Sequence, residues 1–118
     1  MKDFMFIYQG GDPDWATKST PDEMAAIMGQ WQAWMEKLAA SDQLVTGGSP
    51  LHFSGKRMDP NKVVTDIAAA ELKELVSGYS IIRAETMEEA LQIANECPIF
   101  LSPGVSLEVR EVVQMGNC

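Results

Sequence analysis

Histidine, cysteine and positive charge are all scarce in this chain of 118 residues, which carries one His, two Cys and nine Lys plus Arg against seventeen Asp plus Glu. A zinc centre needs three or four clustered ligands, so two distant cysteines and a lone imidazole argue against one. Cys118 is the last residue, where a structural bridge gains little, and both it and Cys97 read as free thiols. A net charge of −8 repels polyanions and opposes binding to nucleic acid or to an anionic membrane surface. No apolar run approaches the ~18 residues of a membrane span, and the stretch after Met1-Lys2-Asp3 is too short for a secretory signal. The expectation is a cytoplasmic protein. Also missing are a Gly-rich phosphate loop, a nucleophile elbow and a dinucleotide fingerprint, so no cofactor is expected and Gly47-Gly48 reads as a turn pair.

What is present is ordinary globular material: 46% hydrophobic and 22% charged residues, enough for one core and too short for two, so residues 1–118 are expected to form one domain. Phe4-Met5-Phe6-Ile7-Tyr8, closed by Gln9-Gly10-Gly11-Asp12-Pro13, predicts a strand apolar on both sides. Thr20-Pro21-Asp22-Glu23 supplies an N-cap, a first-turn proline and a capping-box Glu. The apolar stripe Met24, Ile27, Met28, Trp31, Met35 and Leu38 then predicts a helix ending near Ser41-Asp42.

Short strands are expected at Leu44-Val45-Thr46 and Lys62-Val63-Val64-Thr65-Asp66, with a hairpin in this middle segment. Ala68 to Val76 reads as a short helix or a structured loop. Tyr79 to Ala84 predicts another strand. Thr86-Met87-Glu88-Glu89 repeats the capping logic ahead of a helix facing inward through Ala90, Leu91, Ala94 and Cys97 and ended by Pro98. Val105, Leu107 and Val109 alternate with Ser106, Glu108 and Arg110, the pattern of a half-buried last strand.

The order β-α-β, hairpin, β-α-β predicts an α+β fold in which split βαβ units make a ferredoxin-like sheet with both helices on one face. The first strand is apolar on both sides, Phe4, Phe6 and Tyr8 on one and Met5 and Ile7 on the other, so the face without helices is apolar as well. An apolar sheet face open to water invites burial against a second copy, so a homodimer is expected.

Val64-Thr65-Asp66-Ile67-Ala68-Ala69-Ala70-Glu71-Leu72-Lys73-Glu74, followed by Ser77-Gly78-Tyr79, resembles the signature of the YCII-related, or DGPF-domain, family. Asp66, Ala70, Glu71, Lys73, Glu74, Gly78 and Tyr79 match it, while Ile67-Ala68-Ala69 replaces the family's Gly-Pro-Phe and with it a preset turn and an aromatic wall. The resemblance also takes in Thr46-Gly47-Gly48-Ser49-Pro50-Leu51, Thr86 to Ala90, Cys97-Pro98 and Leu107 to Arg110. It implies a dimeric α+β barrel, bacterial and cytoplasmic, with no settled activity. Some members pair a His on the first helix with an Asp just before the Pro that ends the second, a dyad suspected of catalysis; Trp31 and Cys97 stand at those places here. Association of the DGPF branch with sigma factors implies the alternative of a non-enzymatic regulatory module acting through a protein partner.

The candidate catalytic pair is His52 and Asp66, an imidazole that titrates near neutrality and a carboxylate able to hold its tautomer; an exposed loop His and a turn-capping Asp are the plainer alternatives. Tyr8, Trp15, Tyr79 and Glu71 are the candidate ligand-binding residues, with strand packing, loop pinning and a solvated charged face as the alternatives. Trp31, Trp34 and the helix methionines read as core. Cys97, at a helix C-terminus, reads as a packed thiol with a raised pKa rather than a nucleophile. The function this supports is a homodimeric small-molecule-binding protein or cofactor-independent enzyme with a pocket near Asp66, Tyr8, His52 and Tyr79.

Overall fold

The computed structural model describes residues 1–67 and 74–115, with the side chain of Ala16 left aside. The first strand, β1 (Lys2–Gly10), alternates strictly between buried and half-buried positions. Phe4, Phe6 and Tyr8 are the buried set, as their shared parity requires. A one-turn helix, α1 (Trp15–Lys18), follows within the turn-rich segment that gave no helical signal. Asp12 caps its approach, accepting the Asp14 N–H at 2.9 Å and holding Lys18 at 2.8 Å.

The long helix α2 (Pro21–Ala40) begins as expected, with the Thr20 hydroxyl accepting the Glu23 N–H at 3.1 Å and Pro21 in the first turn. Its Glu23 carboxylate accepts from the same hydroxyl rather than from the Thr20 backbone, a variant of the capping box. Ser41 closes the helix and Asp42 leaves it at φ 59°, a left-handed exit that Asp tolerates. The buried stripe is centred on Trp34 and Leu38, and Met28, expected inside, is 62% exposed. A stripe spaced at 3.5 residues drifts around a 3.6-residue helix, and Met28 falls on its shoulder.

Four strands form the main antiparallel sheet in the order β2 (Leu44–Thr46), β5 (Val76–Ala84), β1, β6 (Val105–Glu111). In each half, one strand, one helix and a second strand run as a βαβ unit with a strand of the other half inserted between. The mixed α+β architecture is therefore as expected. Two further strands, β3 (Lys56–Met58) and β4 (Val64–Asp66), pair only with each other. The expected hairpin is thus built inside the Pro/Gly-bearing segment, with β4 beginning at Val64 rather than Lys62. Glu71 and the rest of residues 68–73, where a short helix or loop was expected, lie outside the described residues.

The second long helix, α3 (Met87–Asn95), is capped by Thr86, whose hydroxyl accepts the Glu89 N–H at 3.2 Å. Ala90 and Ala94 let it lie close on the sheet, whereas Leu91, expected inside, is 51% exposed and Ile93 packs in its place. Pro98 opens a 3-10 turn, Pro98–Leu101, rather than simply ending the helix. One core results, sandwiched between the helices and the sheet: Phe4, Phe6, Tyr8, Ile82 and Ala84 from strands, Trp34, Leu38, Ala90, Ala94 and Cys97 from the helical side. At roughly 1.5–3 kcal/mol for each large apolar side chain buried, Phe4, Phe6 and Ile82 dominate its stabilisation.

The register places Met5 beside Ile81 and Ile7 beside Tyr79 on the opposite, helix-free face. All four are half-buried, and Arg83 pairs with Asp3 at 3.4 Å near one end of this face. The two-layer molecule is thin, with extents of 46 × 42 × 20 Å. Among the described residues no helix is long and apolar enough to cross a membrane.

Candidate functional site

Among the described residues, two recesses stand out. The smaller, about 230 Å³, is a groove between α2 and α3 floored by Trp34, Leu38 and Ile93. Its polar rim is already satisfied from within: Lys37 pairs with Glu96 at 2.9 Å, and the Gln43 side-chain amide donates to Glu89 at 2.6 Å and to the Arg83 carbonyl at 3.2 Å. A ligand there would have to displace existing bonds.

The larger recess, a cleft of about 620 Å³, lies at the foot of the β3–β4 hairpin where β5 begins. Leu51, Ile67, Leu75 and Val76 give it apolar walls, and His52, Ser54 and Glu74 bring three polar side chains to it. Among the described residues none of those three has a hydrogen bond or ion pair. Backbone bonds assemble the walls from distant segments: Leu51 N–H to the Ser77 carbonyl at 2.9 Å, Gly10 N–H to Leu75 at 2.8 Å and Ile67 N–H to Gly55 at 3.0 Å. A mostly apolar recess of several hundred Å³ with a few unengaged polar groups is the usual form of a small-molecule site.

Of the candidate catalytic and ligand-binding residues that the structure describes, His52 alone lines this cleft. Asp66 stands one residue before its wall residue Ile67 but turns its carboxylate to Lys56 across the hairpin, at the surface. His52 and Asp66 are not bonded to each other. Tyr79 lies half-buried on the helix-free face beside Ile7, and Trp15 is half-buried in α1. The expected gathering of Asp66, Tyr8, His52 and Tyr79 around one cavity does not occur, because Tyr8 and Tyr79 fall on opposite faces of the sheet. Glu74, matched in the family signature and read as part of a solvated charged face, also lines the cleft, whereas Ser54, Leu75 and Val76 were missed, since nothing local in the sequence brings them together.

Tyr8 instead heads a buried relay. Its O–H donates to Ser80 Oγ at 2.7 Å, and Ser80 donates onward to the Gly47 carbonyl at 2.7 Å. Cys97 Sγ lies 3.5 Å from the phenol oxygen, and with the phenol proton given to Ser80 the thiol is the donor in that contact. Trp31 packs edge-on against Tyr8 with ring centroids 5.9 Å apart, and Trp34 meets Trp31 edge-on in turn at 5.6 Å. Trp31 and Cys97 thus flank one phenol. Burial pushes the Tyr8 phenol far above its ordinary range and the Cys97 thiol upward too, so both stay protonated and neither is an activated nucleophile or base. Helix position suggested a raised thiol pKa; desolvation is its main cause.

The turn that receives this relay is conformationally exacting. Gly48 sits at φ +71°, and a Cβ there would come within 1.7 Å of the Tyr79 carbonyl oxygen. The Gly47-Gly48 turn therefore locks β2 against β5 and accepts the Ser80 bond as well.

Fold and sequence together define an α+β domain of one kind. The sequence matches the family model of the YCII-related domain over residues 4–116, and the chain belongs to that family. A search among curated proteins finds no match. Among solved structures, the chain is similar to a 5-chloro-2-hydroxyhydroquinone dehydrochlorinase from Burkholderia phenoliruptrix AC1100 in complex with 2,5-dihydroxybenzoquinone. That likeness has 19% identity and a TM-score of 0.48 over 96% of this chain and 95% of the other. A likeness of that order says nothing about this chain's chemistry.

Proposed function

We propose that this YCII-related protein is a homodimeric small-molecule-binding protein whose ligand occupies the cleft at the foot of the β3–β4 hairpin. The observation that carries the reading is the conjunction of apolar walls with three unpartnered polar side chains, His52, Ser54 and Glu74. All three are solvent-exposed, so a ligand that enters the cleft has to offer them bonds in place of the water it displaces. The matching ligand is small and largely apolar, with hydroxyl or carbonyl groups that meet an imidazole, a hydroxyl and a carboxylate.

His52 is the one imidazole in the chain, and its ring nitrogens are placed in the cleft lining to hydrogen-bond a bound ligand. Asp66, one residue before the wall residue Ile67 and paired with Lys56 at the surface, is proposed to act on the ligand from outside the cleft lining. The ferredoxin-like sheet pairs its helix-free face, centred on Met5, Ile7, Tyr79 and Ile81, with that of a second copy, making a dimeric α+β barrel. Support comes from the half-apolar face and from the slab thickness of 20 Å, a single layer of helices on a single sheet.

The test is a thermal-shift screen of small phenols, aliphatic alcohols and carboxylic acids, with affinities of hits measured for wild type, His52→Ala and Asp66→Asn. The expected result is a hit that loses at least about tenfold affinity in His52→Ala and a smaller factor in Asp66→Asn, one tenfold step being about 1.4 kcal/mol. Hits indifferent to both changes contradict the proposed site.

A further inference from the structure

The helix-free face of the sheet is apolar in its middle and charged along one margin. On β6, Leu107 and Val109 pack toward the core, so the alternate residues Glu108 and Arg110 lie on the helix-free side, both exposed. The register sets them beside the apolar centre, Arg110 next to Met5 and Glu108 next to Ile7. On the other side of β1, Met5 and Ile7 neighbour Ile81 and Tyr79. The face is thus ruled in rows across the strands: Ile81, Met5 and Arg110 in one, Tyr79, Ile7 and Glu108 in the next. Beyond the first row stands the Arg83–Asp3 ion pair, and beyond the second the polar Gln9 and Ser106.

Among the described residues Glu108 and Arg110 have no hydrogen bond or ion pair, either with each other or with a third residue. Two opposite charges on one face, two residues apart, form a pattern complementary to itself under a two-fold axis. An axis lying across the strands between the two rows exchanges the rows and sets each strand antiparallel over its own copy. Glu108 then faces Arg110 of the second copy and Arg110 faces its Glu108, while Met5 meets Ile7 and Ile81 meets Tyr79. The outer rows agree, since the Arg83–Asp3 pair comes over Gln9 and Ser106. Facing sheets lie roughly 10 Å apart, a gap that a Glu and an Arg side chain reaching toward each other can span. An axis along the strands does not match the charges: it exchanges β6 with β2, whose residues Leu44, Val45 and Thr46 carry no charge to meet them.

We infer that Glu108 and Arg110 are the register clasp of the dimer: each pairs with the other residue on the second copy of this chain, across an axis that runs perpendicular to the strands and closes Met5, Ile7, Tyr79 and Ile81 against themselves. The inference rests on the homodimer proposed above and fixes which way its two sheets lie. The two ion pairs sit at the margin of the apolar centre, where charges select the orientation of docking more than they add affinity.

Sedimentation of the full chain over a concentration series tests this. Wild type sediments as a dimer, and Glu108→Arg or Arg110→Glu alone, each of which sets like charges against each other twice, raises the dissociation constant at least about tenfold. The exchange Glu108→Arg/Arg110→Glu returns it to near the wild-type value, and the two single variants mixed form a heterodimer tighter than either homodimer. Both side chains are exposed in the protomer, so these variants keep its fold. Pairing β6 edge to edge with a second β6 would also join Glu108 to Arg110, and a benzophenone amino acid in place of Tyr79 separates the two arrangements. On irradiation it gives a covalent product of twice the 13.0 kDa chain mass, attached within Val76–Ala84 of the second copy. A dimer indifferent to the single reversals, or not restored by the exchange, overturns the clasp and leaves the dimer standing. Attachment within Lys2–Gly10, or no covalent product, overturns the axis. A wild-type chain that stays monomeric overturns the dimer and the clasp together.

Discussion

At the scale of single residues, the buried relay from Cys97 through Tyr8 and Ser80 to the Gly47 carbonyl makes the sharpest claims. Ser80→Ala removes the acceptor of one buried group and the donor to another, with an expected cost of about 1–3 kcal/mol by chemical denaturation. Tyr8→Phe costs less, because it removes a donor and leaves Ser80 bonded to Gly47. Both titrating members are raised by burial, which fixes the sign of their pH dependence. Below the ordinary thiol value of 9.0, folded and unfolded chains hold both protons and the pair adds no slope. As pH rises past that value and then past 10.0, the unfolded chain releases the Cys97 and Tyr8 protons while the native chain keeps them, so stability falls. Denaturation across alkaline pH should show a decline that is shallower in Cys97→Ser and Tyr8→Phe; an unchanged slope would contradict the relay. The parity of Phe4, Phe6 and Tyr8 on one side was legible in the sequence. What was not legible was the partner of Tyr8, because Ser80 and Cys97 lie 72 and 89 residues further along and only the folded register brings them to it.

Among elements, those whose determinants are local were readable and those made by pairing were not. Both capped helices begin where Thr20 and Thr86 said they would, since a cap, a first-turn acid and a periodic stripe all lie within a few residues. The strand Lys56–Met58 has no alternation and no β-branched residue; it exists because the Asp59 turn folds it onto Val64–Asp66. The cleft is of the same kind. His52 drew attention as the only imidazole, but Leu75 and Val76 become its neighbours through the Leu51–Ser77 backbone bond, which no spacing rule encodes. The caps make a direct prediction: Thr20→Ala loses the bond to the Glu23 N–H and should cost about 1 kcal/mol, while Thr20→Ser should be near neutral. A melting temperature equal to wild type in Thr20→Ala would place the stability of α2 entirely in its packing against the sheet.

The whole molecule is a slab with one finished face and one unfinished. Helices α2 and α3 cover Phe4, Phe6, Tyr8 and Ile82, whereas Met5, Ile7, Tyr79 and Ile81 are left half-buried on the other side, and the hairpin projects with both faces exposed. The helix-free sheet face and the cleft are the surfaces that the proposed pairing and the proposed ligand would cover. The fold class, the two βαβ halves and the two-sided first strand were all visible in the pattern of apolar residues, because each follows from a period. The cleft was not, because it depends on segments brought together at a distance. Native mass spectrometry of the gently purified protein, supplied with a hit from the small-molecule screen, measures the central claim in one spectrum. The account predicts an ion of twice the 13.0 kDa chain mass carrying one ligand per chain, with the ligand lost and the dimer kept in His52→Ala. A monomer, or a dimer that retains its ligand undiminished in His52→Ala, would contradict it.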